Sequence, residues 1–272
     1  MATIRKGNGN DRIYTGSGED YAYGGGGDDD INGYLTPEGE FDYLYWKSSG
    51  TQWLYGGEGN DTIFGGTDVD NIWGDGGNDF LNGREGNDVI SGGEGDDELR
   101  GRDGNDTLNG GAGNDIIITG PGTDYAYGGS GDDKINGYRN PDYSSSTFWT
   151  TSGSQWLYGD GGNDEIFGGT DVDNIDGGTG NDYLDGLEGN DVISGGEGDD
   201  ELWGDEGNDT LNGNDGNDQI YGEDGNDTLN GGLGVDYMVG GEGDDTYYVD
   251  DIWDDVYDTS GNDTLHISVD YY

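Results

Sequence analysis

The chain has 272 residues, of which 62 are Gly, only 28% are hydrophobic, and the formal charge is −52. So little apolar surface cannot offset the entropy of ordering a conventional globular domain, and composition alone would place the chain among disordered proteins. The negative field repels nucleic acid and anionic membrane surfaces, and the absence of Cys excludes disulfides and thiolate-bound zinc.

His266 is the lone histidine and cannot build a His-rich metal site. No stretch approaches 18 apolar residues, so no membrane insertion is expected. Residues 1–20 lack an apolar signal-peptide core, so export by a cleaved N-terminal signal is not expected.

A different kind of order runs through the chain. After a short lead-in, Met1 to Arg5, a nine-residue phrase begins at Lys6 and runs to Asn32. Its form is G-G-x-G-x-D-x-U-x, with U a large apolar residue, and Gly92–Arg100 is a well-formed copy. A block of other character follows, Gly33 to Tyr55, and then six clean copies from Gly56 to Asn109. Residues 112–138 repeat residues 8–34 at an offset of 104, a second block spans Gly137 to Tyr158, and residues 152–218 repeat 49–115 at an offset of 103. Four more copies run from Gly213 to Tyr248, and the tail, 249–272, loses glycine and gains apolar residues.

The expected organisation is therefore a first unit over 1–109 with a block at 33–55 and a second over 110–212 with a block at 137–158. Further nonapeptides over 213–248 and a C-terminal cap over 249–272 complete one continuous solenoid. Val249, Ile252, Trp253, Val256, Leu265 and Ile267 are expected to cover its last coil.

The period has a physical reading. The first six residues form a turn, because Gly tolerates positive φ and close backbone approach. The last three form a short strand with U pointing inward. Two nonapeptides close one coil, and coils stack about 4.8 Å apart. Such a repeat is the mark of a parallel β-roll that binds calcium. The fold class is all-β, a right-handed parallel β-roll solenoid with two aromatic insertions. Its core is a single file of Ile and Leu, too thin to stand without capping and metal.

Calcium takes six to eight oxygen ligands at 2.3–2.6 Å, which turn carbonyls and stacked carboxylates supply. The 22 tandem copies resemble the RTX (repeats-in-toxin) family of β-roll proteins over about residues 6–248. The resemblance implies several calcium ions, each between turns of successive coils on one side of the roll. It also implies turn carbonyls and position-six carboxylates as ligands. Those carboxylates are Asp11, Asp20, Asp29, Asp61, Asp70, Asp79, Asp88, Asp97, Asp106, Asp115 and Asp124. They continue as Asp133, Asp164, Asp173, Asp182, Asp191, Asp200, Asp209, Asp218, Asp227, Asp236 and Asp245. Asp68 and Asp171 replace the position-four Gly in G-G-T-D-V-D-N-I, where they add a ligand or distort a site. The resemblance further implies type I secretion, an extracellular location and folding on meeting calcium.

Function beyond metal binding is expected in the two aromatic blocks, read as a hairpin or an enlarged coil. The candidate partner-binding residues are Tyr43, Tyr45, Trp46, Trp53, Tyr55, Phe148, Trp149, Trp156 and Tyr158, since Tyr and Trp combine large apolar area with a polar tip. Three readings stand open: local packing over the roll, contact with another copy or a cell-surface or matrix component, and glycan binding. Outward strand aromatics, among them Tyr21, Tyr23, Trp73, Tyr125, Tyr127 and Trp203, extend this surface. No nucleophile or acid–base constellation stands out, and in the resembling family the catalytic part precedes the repeats, which here begin at once. The expectation is a secreted, non-enzymatic, calcium-binding structural protein that self-associates or coats a surface. The alternative is a calcium-dependent adhesin or carbohydrate-binding module.

Overall fold

The computed structural model describes residues 3–10, 12–14, 20–27, 29–32, 50–137, 153–258 and 260–268. The chain forms two compact units, residues 1–127 and 128–272. Each is a parallel β-solenoid. Turns and strands alternate as the nonapeptide dictates, so successive repeats fall on opposite sheets and every second repeat pairs. In the first unit Leu81, Leu99 and Ile117 stand in register on one sheet, and Ile72, Ile90 and Leu108 on the other. In the second unit Leu184, Leu202 and Ile220 form one such file and Ile193, Leu211 and Leu229 the other. All these pairings are parallel, at a step of 18 residues.

The position-eight side chains form the core. From Ile13 to Tyr247 none is more than 2% exposed. One buried side chain per nine ordered residues is a thin core. The backbone ladder and what fills the turns must supply the remaining cohesion.

The ladder absorbs the end of each aromatic block. Leu54 pairs between Ala22 and Ile72, and Leu157 pairs with Ile175; both are fully buried. The step across the blocks, Ile31 to Ile63 and Ile135 to Ile166, is 32 and 31 residues in place of 18. The phrase Ser-Gly-x-Gln-Trp-Leu-Tyr is therefore a nonapeptide ending, with Gly50 at position four (φ 121°) and Gln52 at position six. Trp53, Tyr55, Trp156 and Tyr158 are outward strand residues of the coils. The hairpin or enlarged coil read from the blocks, with Tyr43, Tyr45, Trp46, Phe148 and Trp149, lies outside the described residues.

The tail likewise continues the roll. Asp255–Tyr257 pairs with Tyr237–Glu242, and Thr264–Ile267 pairs with Thr246–Val249, each in the 18-residue register. Leu265 takes the place below Tyr247 in the core file. The apolar tail residues do not cover this end: Leu265 is 50% exposed, Ile252 58%, Ile267 65% and Trp253 71%.

The turns explain the glycine content. At Gly95 φ is +123°, and a Cβ there would lie 2.6 Å from the Gly77 carbonyl carbon one coil away. Position two also needs left-handed backbone, and non-Gly residues sit there under strain, as at Glu223 (φ 71°) and Leu187 (φ 71°). Two substitutions test this. With calcium present, Glu223→Gly should stabilise the protein by about 1 kcal/mol through relief of left-handed strain. Gly95→Ala should destabilise it by roughly 2 kcal/mol or more. Thermal melting checks both, and equal melting of the two variants would contradict the turn geometry.

Candidate metal centre

Each position-six Asp is placed by the turn before it and the strand after it. Its backbone carbonyl accepts from the position-seven N–H one coil on, as Asp79 O does from Glu98 N–H (2.8 Å). Its side chain reaches the other way. Asp97 Oδ1 accepts the Asp79 N–H (2.7 Å), Asp106 Oδ1 the Asp88 N–H (2.8 Å), and Asp209 Oδ1 the Asp191 N–H (2.7 Å). These bonds repeat coil after coil in both units and thread the carboxylates into two buried files per unit.

Among the described residues, every position-six Asp named from the sequence is in place and no more than 3% exposed, from Asp20 to Asp245. Asp11 lies outside the described residues. Asp68 and Asp171 turn aside from the files. Asp68 Oδ2 accepts the Gly50 N–H (2.6 Å) and Asp171 Oδ2 the Gly153 N–H (2.7 Å), so each closes a neighbouring turn.

Four further position-six residues escaped the sequence reading. Gln52 and Gln155 occupy the files at the block ends, where their N–H groups donate to Asp70 Oδ1 (2.8 Å) and Asp173 Oδ1 (2.7 Å). Asp254 and Asp263 extend the files into the tail, accepting from the Asp236 N–H (3.1 Å) and the Asp245 N–H (3.0 Å). The signal was present in each case: an apolar residue two places on and, except at Asp254, a Gly two places back. A second ladder was missed too. Asn and Asp at position five accept from the next coil, as Asn60 Oδ1 does from the Asn78 N–H (2.9 Å) and Asn78 Oδ1 from the Asp96 N–H (3.1 Å).

The second carboxylate oxygen carries the chemistry. Oδ2 of Asp79, Asp88, Asp97 and Asp106 in the first unit is buried with no hydrogen-bond partner, as is Oδ2 of Asp182, Asp191, Asp200, Asp209, Asp218, Asp227, Asp236 and Asp245 in the second. A buried carboxylate oxygen without a partner is strongly unfavourable. Carbonyl oxygens converge on the same place. A Cβ at Gly222 would sit 2.5 Å from Asp227 Oδ2 and 2.6 Å from the Gly240 carbonyl oxygen; at Gly204 the neighbours are Asp209 Oδ2 (2.5 Å) and the Gly222 carbonyl oxygen (2.8 Å). Only Gly leaves this space open. A buried, anionic, all-oxygen cradle fits a hard cation of the calcium type.

Electrostatics agree. Burial pushes the carboxyls of Asp88, Asp106 and Asp191 up to about 8. It pushes those of Asp97, Asp218 and Asp227 up to about 7. The backbone N–H on each Oδ1 opposes this only in part, and neighbouring carboxylates add repulsion.

The outward faces bear the aromatics, half-buried by stacking. Trp53 stacks on Tyr21 (centroids 4.7 Å apart), and Tyr55 lies between Tyr23 (4.7 Å) and Trp73 (4.5 Å). Arg5 covers the Tyr23 end of that stack at 4.9 Å. In the second unit Trp203 stacks on Tyr221 at 4.1 Å. These rings spend their faces on one another.

A parallel solenoid with files of buried carboxylates in its turns is a metal-binding β-roll. The RTX calcium-binding nonapeptide repeat family matches residues 7–35, 48–81, 82–117, 109–143, 149–184, 176–211, 185–220 and 212–247. The chain belongs to that family and is a calcium-binding RTX repeat protein. No curated protein matches it. Among solved structures it is similar to a hyperactive, Ca2+-dependent, beta-helical antifreeze protein from an Antarctic bacterium. The two are 19% identical, with a TM-score of 0.42 over 89% of this chain and 84% of that one.

The raised carboxyls set the pH response without metal. In the folded state Asp88 binds its proton up to about pH 8, whereas in the unfolded chain an Asp releases it near pH 3.9. The folded state thus holds more protons between those limits. The stability this contributes is fully present below about pH 4 and is lost as pH rises through the folded values. In chelator, acidification from pH 8 to pH 5 should increase the strand signal in circular dichroism and raise the melting temperature. A signal in chelator that does not change with pH would contradict the buried files.

Proposed function

We propose that the position-six Asp files hold calcium ions, that the chain folds when it meets calcium, and that it serves outside the cell as a non-enzymatic structural protein assembling with copies of itself. The unpartnered Oδ2 in successive coils carries this reading, because the roll buries carboxylates that are either protonated or neutralised by a bound cation. Binding to the folded state alone drives folding by mass action. Extracellular modules take up calcium at about 0.1–1 mM, which suits a chain unfolded in low-calcium cytosol and folded after type I export. The repeat carboxylates are committed to the files, in support of a non-enzymatic role.

Self-association finds support in exposed apolar and charged strand residues. The last described strand, Thr264–Ile267, leaves a core-register residue, Leu265, half exposed. No Lys or Arg follows Arg139, whereas the first strands carry Arg5 and Arg12, the latter 3.5 Å from Asp30 with its side chain 76% exposed. An acidic strand with exposed apolar side chains meeting Arg5 and Arg12 of another copy would give a heterologous contact. Tyr55 has both ring faces covered, by Tyr23 and Trp73, and Trp53 has one covered by Tyr21, which favours assembly over the glycan-binding alternative.

Light scattering with negative-stain microscopy tests this. In millimolar calcium, ordered polymers should form that dissolve in chelator, and Ile267→Asp should shorten them. A folded, monodisperse monomer at high concentration in calcium would overturn the assembly reading.

A further inference from the structure

Among the described residues, three carboxylates converge at only one place. One oxygen each of Asp245, Asp258 and Asp263 lies within 4.8 Å of the others, the spread that an ion with oxygens at about 2.4 Å can span. We propose that these three residues form a calcium site of higher charge than any regular site of the roll, which fills first and pins the final coil of the second unit. This rests on the reading of the files as calcium ligands and adds a ligand that the repeat does not supply.

The position of Asp258 makes the difference. Position one is Gly in the preceding coils of this file, at Gly204, Gly222 and Gly240, and offers only its backbone. One coil on, that position is Asp258. Asp245, 1% exposed, spends Oδ1 on the Asp227 N–H (2.8 Å), and its Oδ2 is buried without a partner. That oxygen and the Tyr247 hydroxyl both crowd the place where a Cβ on Gly240 would sit. Tyr247 in turn donates to Asp258 Oδ2 (2.9 Å). The orphaned oxygen therefore faces Asp258. Asp263 is held from the other side, accepting the Asp245 N–H at 3.0 Å.

Tyr247 belongs to this arrangement. It is the one aromatic in the described core file, and its hydroxyl orients Asp258 from within the roll. Like charges this close repel, and no Lys or Arg follows Arg139 in the sequence to relieve them. Calcium affinity rises with the number of charged ligands, so this site should hold its ion when regular sites have emptied.

Calcium binding to the full chain, measured by competition with a chromophoric chelator, tests the proposal in wild type, Asp258→Asn and Asp255→Asn. Asp255 is an exposed acid in the adjoining strand, outside the cluster. Wild type and Asp255→Asn should each hold one tight ion that Asp258→Asn binds at least about tenfold more weakly. Hydrogen exchange of Thr264–Ile267 should show protection in wild type at low calcium, and in Asp258→Asn only at saturating calcium. Tyr247→Phe keeps all three carboxylates and should keep the tight ion. Equal binding by wild type and Asp258→Asn, or equal loss in Asp255→Asn, would overturn the site. Binding of no calcium by wild type would instead overturn the reading of the files as a whole.

Discussion

Everything in this molecule depends on burying carboxylates that cannot remain unaccompanied. In the regular coils, from Asp79 to Asp106 and from Asp182 to Asp245, an Asp in the turn has one oxygen satisfied by a backbone N–H from the coil before and the other buried among carbonyls without a hydrogen-bond partner. The hydrogen bond sets the position of the carboxylate, and the orphaned oxygen sets the demand for a cation. A charged group without a partner in such a place costs several kcal/mol, and here the demand recurs along both units. The roll is thus built to be incomplete as protein alone.

The other features follow from that constraint. Gly recurs because the turn must bring backbone to within contact of the next coil and leave room for carboxylate and carbonyl oxygens together. The core has only one inward Ile or Leu per repeat, and cations held in the turns, as proposed, would share the work of cohesion. On the function proposed above, the net charge of −52, which would keep an ordinary chain unfolded, makes folding track calcium. The stacked aromatics on the outer faces add local cohesion where the coils on either side of the first block pair.

Much of this was legible in the sequence because the period is strict. A Gly, an Asp and an apolar residue at fixed offsets specify turn, ligand and core at once, and the structure puts Asp61 to Asp245 and Ile63 to Tyr247 where the period places them. Reasoning faltered where the residues changed but the backbone did not. Gln52 and Gln155 keep the geometry of position six without its charge, so the block ends looked like insertions when they are coils. Asp254 and Asp263 sit in a tail with few glycines, and its apolar residues suggested a cover where the structure has two more strands. Asp258 could not be read as a ligand candidate at all, because its meaning comes from the coil above it and from the Tyr247 hydroxyl. Position five carried a steady Asn or Asp preference whose cause, a second ladder between coils, is visible only in three dimensions.

The most direct measurement is a calcium titration of the full chain at neutral pH, starting from chelator, with circular dichroism and the number of bound ions followed on the same samples. The account predicts little strand signal in chelator and a steep rise in step with the uptake of several ions. A complete strand signal in chelator, with no ion bound, would show that the roll tolerates its buried carboxylates unaided and would contradict the central claim.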